Sequence, residues 1–287
     1  HLPGNPVKVY GRRFDKVSCL MNALTFGLLI FSLEGIAHKQ SVVLVIGGIV
    51  ALGIIGYFFV RRQLRQRFPL LPVDLMRIPI FSLSIGTSIS SFTAQMLAMI
   101  SLPFFLQNTL GRSDVATGLL LTPWPLATMI MAPTAGRLVE KIHPGILGGI
   151  GMGIFATGLF LLATLPVHPT DMDIIWRLFV CGAGFGLFQT PNNSTIISSA
   201  PTNRSGGASG MLGTARLLGQ TLGATLVAMI FNLMPSNSTH ACLYLATGFA
   251  VIAAIVSCLR ISQPRPLKGT ECQESSATDL QKRKSSG

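Results

Sequence analysis

Long uncharged stretches of apolar residues alternate with short polar segments along this chain of 287 residues. Eight stretches are long enough to cross a bilayer, because a spanning helix needs about 20 mostly apolar residues. The stretches are continuously apolar and do not alternate with polar residues, so the pattern predicts helices and excludes the strands of a transmembrane barrel. The predicted spans are 17–37, 42–60, 80–105, 116–138, 145–165, 174–199, 208–234 and 241–261. The predicted fold class is an all-α polytopic membrane protein with eight transmembrane helices.

The positive charges lie mainly on one side of the predicted spans. Of the 22 Lys and Arg residues, 18 fall on the side of the N-terminus, including Arg260 at the end of the last span. Only Lys39 and Arg112 fall in loops on the other side. An excess of Lys and Arg marks the cytoplasmic loops of membrane proteins, so we expect both termini to be cytoplasmic. The net charge of +12 is then explained by the cytoplasmic cations that orient the chain in the lipid bilayer, and we expect no nucleic-acid partner.

Composition and motifs argue against an enzyme. Only 11% of the residues are charged and 49% are hydrophobic, which excludes a soluble globular enzyme. The motif Gly207-Ala208-Ser209-Gly210 resembles that of intramembrane serine proteases, but no histidine falls in the middle of a span to act as the base. The cysteines form no Cys-x-x-Cys pair. We therefore expect no catalytic residue, no metal site and no cofactor.

The pattern divides the chain into five segments. We expect a cytoplasmic segment at 1–16, a two-helix transmembrane hairpin at 17–60, a basic cytoplasmic connector at 61–78, a block of six helices at 79–261 and a disordered cytoplasmic tail at 262–287. The first residue is His1 and not Met, so we also expect a fragment or a truncated reading frame.

Polar and aromatic side chains inside the predicted spans are the candidate functional residues, because amide and charged groups are costly within a bilayer. On the sixth span, one helical face carries Phe185, Gln189, Asn192 and Asn193. This face is compatible with the wall of a substrate cavity and equally with amide hydrogen bonds between helices. The third and fourth spans add the cavity candidates Gln95, Met99, Trp124 and Met129, although methionines are also ordinary core residues.

Charged groups and glycines in the spans add two expectations. Arg216, with Gln220 one turn later, is a candidate for a gating or structural role, because a buried arginine needs a partner or must reach the cytoplasmic face. Glycines at fourfold spacing predict close approach of helices. These glycines are Gly145, Gly149, Gly153, Gly182, Gly186, Gly219 and Gly223. No carboxylate falls at mid-depth within 79–261, so in a proton-coupled transporter the proton carrier would lie in a part of the protein outside this chain.

Several segments resemble the major facilitator superfamily, and most closely its 14-span drug/proton antiporters. Helices 7 and 8 of that family resemble LPFFLQNTLG at 102–111, GLLLTP at 118–123 and AGRL at 135–138. Helices 10 and 11 resemble CGAGFGLF at 181–188 and ARLLGQTLG at 215–223. The resemblance implies that the six helices at 79–261 form the C-terminal half of a major facilitator fold, and the hairpin at 17–60 fits the two additional helices of the 14-span members. The family has a cytoplasmic loop motif that is repeated in its second half. The segment from Gly136 to Lys141 resembles that repeat and has Glu140 where aspartate is usual.

The resemblance implies alternating access, with a substrate path lined by the third, fourth, sixth and seventh spans. It implies a gating or structural role for Arg137 and Glu140 of the loop motif. The expected function is proton-coupled multidrug efflux of hydrophobic or cationic drugs across the bacterial inner membrane, with a missing N-terminal half of six helices as a partner. The alternative is a non-transporting membrane scaffold or assembly protein.

Overall fold

The structure is a computed structural model, and it describes residues 16–37, 41–65, 73–166, 169–201, 204–235 and 237–260. These residues form nine α-helices, a short 3₁₀ helix at Val73–Arg77 and a π-helical turn at Phe105–Thr109. The helices are α1 (Lys16–Ala37), α2 (Val42–Arg65), α3 (Pro79–Phe104), α4 (Asp114–Leu121), α5 (Pro123–Lys141), α6 (Pro144–Ala163), α7 (Asp171–Ser198), α8 (Ser205–Leu233) and α9 (Ser238–Leu259). The predicted all-α class is confirmed, since the described residues contain no strand.

Part of the predicted segmentation lies outside the described residues. The tail at 262–287, the N-terminal segment except Lys16, and residues 66–72 of the connector belong to this part. The divisions of the chain into segments therefore stay predictions.

Each predicted span coincides with a helical segment, and the fourth corresponds to α4 and α5 together, which form one apolar segment at Asp114–Lys141. That span is divided into α4 and α5 between Leu121 and Pro123, because proline has no backbone N–H with which to continue the helical hydrogen bonds. Six segments among the described residues are long and apolar enough to cross a membrane. They are Val43–Arg62, Pro79–Thr109, Asp114–Lys141, Pro144–Ala163, Ser205–Leu233 and Ser238–Leu259.

The remaining two predicted spans correspond to α1 and α7. The apolar part of α1 is the shorter segment Leu20–Ser32. α7 has 28 residues but is more polar, because its first two turns carry Asp171, Asp173 and Arg177. Most of its packing is against α5 and α6, so neighbouring helices surround much of its surface. The charged groups are confined to the first two turns, where Asp171 is exposed, and neighbouring helices surround much of the rest of the helix.

The helices α3 to α9 correspond to the predicted block of six spans, with α4 and α5 together as one span, and they pack around a common core. α6 packs on both α7 and α9, and α9 packs on α3. α5 lies against α7, and α8 lies against α3, so these two helices flank the centre. α1 and α2 pack on each other, and α1 also touches α8. The starts of α3 and α6 and the ends of α7 and α9 meet at one end of the bundle, which we call end I.

Glycines allow several helix pairs to approach closely, as their spacing predicted. A Cβ atom added at Gly219 of α8 would lie 2.6 Å from the carbonyl oxygen of Ile89 on α3. An added Cβ at Gly186 of α7 would lie 2.8 Å from the carbonyl oxygen of Thr128 on α5. The prediction fails for Gly153, because nothing lies within 4 Å of a Cβ added there. Close approach therefore depends on which face each glycine occupies as well as on its spacing.

Two glycines of α6 should respond to alanine with opposite signs. A Cβ added at Gly151 would lie 2.7 Å from the backbone nitrogen of Phe188 on α7, and backbone cannot move aside cheaply. We expect Gly151→Ala to lower the free energy of unfolding by about 1–3 kcal/mol. Gly153→Ala should raise it by up to about 1 kcal/mol, because alanine is the better helix former and the site is open.

The measurement is reversible unfolding of each purified variant in mixtures of SDS and a mild detergent. Gly153→Ala is the control, since it makes the same chemical change two residues away on the same helix. Equal shifts for the two variants would contradict the described contact between α6 and α7.

Candidate functional site

Four aromatic rings form a continuous series through the core of the bundle. Trp124 of α5 meets Phe155 of α6 edge to face, with ring centroids 5.5 Å apart. Phe155 meets Phe185 of α7 at 5.4 Å, and Phe185 meets Phe92 of α3 at 5.6 Å, again edge to face. All four rings are buried. Such pairs contribute about 0.5–1.5 kcal/mol each beyond the area they bury, so the series fastens four helices together.

Two polar groups adjoin this series of rings. The guanidinium carbon of Arg216 on α8 lies 5.1 Å from the centre of the Phe92 ring, which is within the range of a cation–π contact. Arg216 is otherwise exposed. The indole N–H of Trp124 is buried and has no hydrogen-bond partner among the described residues. At one end of the series, Phe92 contacts the exposed guanidinium of Arg216, and at the other end Trp124 carries an indole N–H without a partner among the described residues.

A buried arginine forms the centre of a polar network at end I. Arg260 directly follows α9 and is 1% exposed. Its Nη1 donates to the Asn192 side-chain oxygen at 2.6 Å and to the Ser84 hydroxyl at 2.7 Å. Its Nη2 donates to the Ser257 hydroxyl at 2.8 Å. The Asn192 Nδ2 in turn donates to the Ser88 hydroxyl at 2.7 Å, so the network joins α3, α7 and α9.

All the oxygens that Arg260 contacts in the described part of the chain are neutral. By contrast, Arg112 pairs with the carboxylate of Asp171, and Arg204 pairs with that of Asp74. The Nε of Arg260 is buried without a hydrogen-bond partner among the described residues. Burying a cation costs several kcal/mol, and a hydrogen bond to a charged group contributes about 1.5–3 kcal/mol. The two effects are of similar size, so the network holds a charge that is only just compensated.

Sequence reasoning missed this network. It counted Arg260 among the cytoplasmic cations at the end of the last predicted span and assigned it no contact within the bundle. In the structure the guanidinium points back into the bundle and is buried there. The signal in the sequence was weak: Ser84 and Ser88 are one helical turn apart within the third predicted span, and Asn192 lies within the sixth.

The predicted site residues fall into three groups by burial. Trp124, Phe185 and Asn192 are buried. Five others are half-buried: Gln95, Met99, Gln189, Asn193 and Gln220. The exposed residues are Met129, Arg137, Glu140 and Arg216.

The structure brings some of these residues into shared contacts. Phe185 and Trp124 belong to the same series of rings through Phe155. Asn192 forms hydrogen bonds between helices, which is one of the two roles that its position allowed. A role in a substrate cavity stays a prediction for all the candidates.

The chain was compared with known proteins. A family model described as Major Facilitator Superfamily matches residues 17–224 and 83–282. The chain is 62% identical over 264 residues to the uncharacterized transporter YebQ of Escherichia coli, an alignment that covers 92% of this chain and 58% of YebQ. It is 30% identical over 223 residues to the multidrug efflux pump LfrA of Mycolicibacterium smegmatis, covering 76% of this chain and 43% of LfrA.

A third relative is the multidrug resistance protein Stp of Mycobacterium tuberculosis, which is 27% identical over 224 residues, or 76% of this chain and 41% of Stp. The chain therefore spans about half the length of the curated relatives that it matches. The family match extends over most of the helices described above and confirms the resemblance seen in the sequence. The chain belongs to the major facilitator superfamily.

Proposed function

We propose that this chain is the C-terminal part of a multidrug efflux transporter of the 14-span drug/proton antiporter type. Together with an N-terminal half of six helices, it exports hydrophobic or cationic drugs in exchange for protons by alternating access. The transporter lies in the bacterial inner membrane with end I on the cytoplasmic side. Membership of the superfamily and the names of the relatives LfrA and Stp support the proposal.

The observation that carries the proposal is the position of three glutamines. Gln95, Gln189 and Gln220 lie in the middle part of α3, α7 and α8, and helix packing leaves each of them half-exposed. An amide at mid-depth is unfavourable against lipid tails, so it belongs in a water-filled cavity or at a protein interface. Both environments occur where two halves of a transporter enclose a substrate path.

The positions of the acidic residues support different roles for the two halves in proton binding and drug binding. In helices α3 to α9, the described carboxylates lie in first or last turns: Asp114, Glu140, Asp171 and Asp173. A proton-coupled transporter uses a titratable group within the membrane. The proposal therefore assigns the proton-binding carboxylate to the N-terminal half and the amide-lined wall to this chain.

Replacing Gln189 tests the proposed wall. In the full-length transporter that contains this chain, we expect Gln189→Ala to reduce export of a fluorescent lipophilic cation by about tenfold, because one polar group at a binding site is worth about 1–2 kcal/mol. Export is measured as dye accumulation in cells that lack other pumps, with the amount of protein in the membrane determined in parallel.

Thr157→Ala is the matched control. Thr157 is a polar residue within a span, on α6, but it is exposed, and its hydroxyl donates to the carbonyl of Gly153 on its own helix. It should leave export unchanged. A full-length protein that exports no lipophilic cation, or whose export persists after the proton gradient is collapsed by an uncoupler, would overturn the proposed function.

A further inference from the structure

We propose that Arg260 is a reversible latch at end I. In one conformation it fastens the part of α7 that follows Pro191 to α3 and α9, and in another it releases that part. Arg260 would thus be a positioning residue for transport, acting through Asn192. The kinetic test below and the response of thiol accessibility to a transported cation rest on the proposed function, whereas the comparison of thiol accessibility between Arg260 and Arg260→Met does not.

The latch acts next to a weak point in α7. Pro191 lies inside the helix and has no N–H, so the carbonyl of Leu187 lacks its usual helical donor. Helices bend most readily at such positions. Asn192 follows at once and is held from two sides, by Arg260 at 2.6 Å and by Ser88 at 2.7 Å. The residue where α7 can bend, Pro191, is therefore directly followed by the residue that the latch holds, Asn192.

The absence of a carboxylate among the described partners of Arg260 makes the latch reversible. A carboxylate partner would hold a buried guanidinium almost permanently, but Arg260 contacts only the neutral oxygens of Asn192, Ser84 and Ser257 in the described part of the chain. These bonds only just compensate the loss of hydration, so the buried position and a hydrated position are close in free energy. A small difference between two discrete arrangements is what a conformational switch requires.

The position of Arg260 gives its side chain a short route to water. The residue caps the C-terminal end of α9, and its neighbours Cys258 and Leu259 are exposed. The distribution of Lys and Arg predicts that end I is cytoplasmic. Unwinding of the last turn of α9 is enough to let the long side chain reach the aqueous surface.

Thiol accessibility tests the latch directly. Thr195 is buried in the part of α7 beyond the hinge, and Ser194 beside it is exposed. In the full-length protein without its native cysteines, Thr195→Cys should react slowly with a membrane-impermeant maleimide added from the cytoplasmic side. Arg260→Met, which removes the charge but keeps an unbranched apolar side chain, should raise that rate by about tenfold, as expected when a buried segment opens more often.

Ser194→Cys is the control for reagent access, and its rate should be the same with Arg260 and with Arg260→Met. A transported lipophilic cation should change the Thr195→Cys rate when Arg260 is present but not in Arg260→Met. If Arg260→Met leaves the Thr195→Cys rate unchanged, or if the cation changes it equally in both backgrounds, the latch is overturned.

An apolar replacement distinguishes the latch from a rigid strut. Arg260→Met combined with Asn192→Leu removes the charge and its main partner together, and packed apolar side chains can substitute for a buried polar network without loss of stability. A strut replaced in this way keeps its kcat. A latch keeps its melting temperature and KM but loses about tenfold in kcat, because the conformational step has become slow.

Unchanged kcat in this stable double variant therefore contradicts the latch. If the wild-type protein exports no drug at all, the proposed function fails, and the accessibility experiment still decides whether Arg260 opens and closes.

Discussion

Phe185→Ala should lower the free energy of unfolding by about 4 kcal/mol, since removing a buried phenylalanine side chain typically costs about 3–5 kcal/mol. Phe185 is 2% exposed and contacts the rings of Phe92, Phe155 and Phe188. The substitution removes edge-to-face contacts with α3 and α6 at the same time. It also leaves a cavity that the surrounding helices cannot close, because glycine contacts already hold α6 and α7 together.

Phe179→Ala is the control for this prediction. Phe179 lies on the same helix, but it is 40% exposed on the surface of the bundle. Its removal opens no internal cavity, so we expect a loss below about 1 kcal/mol. Both variants are measured by reversible unfolding in mixtures of SDS and a mild detergent. Similar losses for the two variants would contradict the packing of Phe185 at the centre of the ring series.

The helices of this fold were predictable because the signal that specifies them is local. A bilayer span needs a continuous apolar stretch of fixed length, and such a stretch is visible in the sequence without any knowledge of its neighbours. The third span was predicted from residue 80, and α3 begins at Pro79. The short interruption between α4 and α5 directly precedes Pro123, and the two helices together still form the single apolar segment Asp114–Lys141.

The contacts between helices were predictable only in part. The spacing of Gly219 and Gly223 indicated a close approach, and both lie against α3. Gly153 has the same spacing but faces open space. Spacing fixes which glycines share a face of a helix, whereas the partner of that face depends on the other helices.

The polar network at end I was not predictable from local pattern. Arg260 reaches Asn192 across 68 residues of chain and Ser84 across 176 residues. The sequence could show that asparagine is costly in a span, but not whether its amide would meet a substrate or another helix. In the structure the amide of Asn192 contacts other helices, because the fold brings α3, α7 and α9 together at one end.

Arg260→Ala should lower the free energy of unfolding by about 3 kcal/mol. The substitution leaves the Asn192 side-chain oxygen without its donor, and each buried polar group left unpaired costs about 1–3 kcal/mol. The hydroxyls of Ser84 and Ser257 also lose the donor that Arg260 supplies, although each of them still donates to a backbone carbonyl. The loss stays moderate because the substitution also removes the cost of burying the guanidinium.

Arg77→Ala is the control, since Arg77 is exposed beside the start of α3, and we expect a change within about 0.5 kcal/mol. The same unfolding measurement provides a stricter comparison. Arg260→Met with Asn192→Leu should recover most of the stability that Arg260→Ala loses, because it removes the charge and the unpaired amide together. A double variant as unstable as Arg260→Ala would mean that Arg260 fills space at end I and that its hydrogen bonds to Asn192 contribute little.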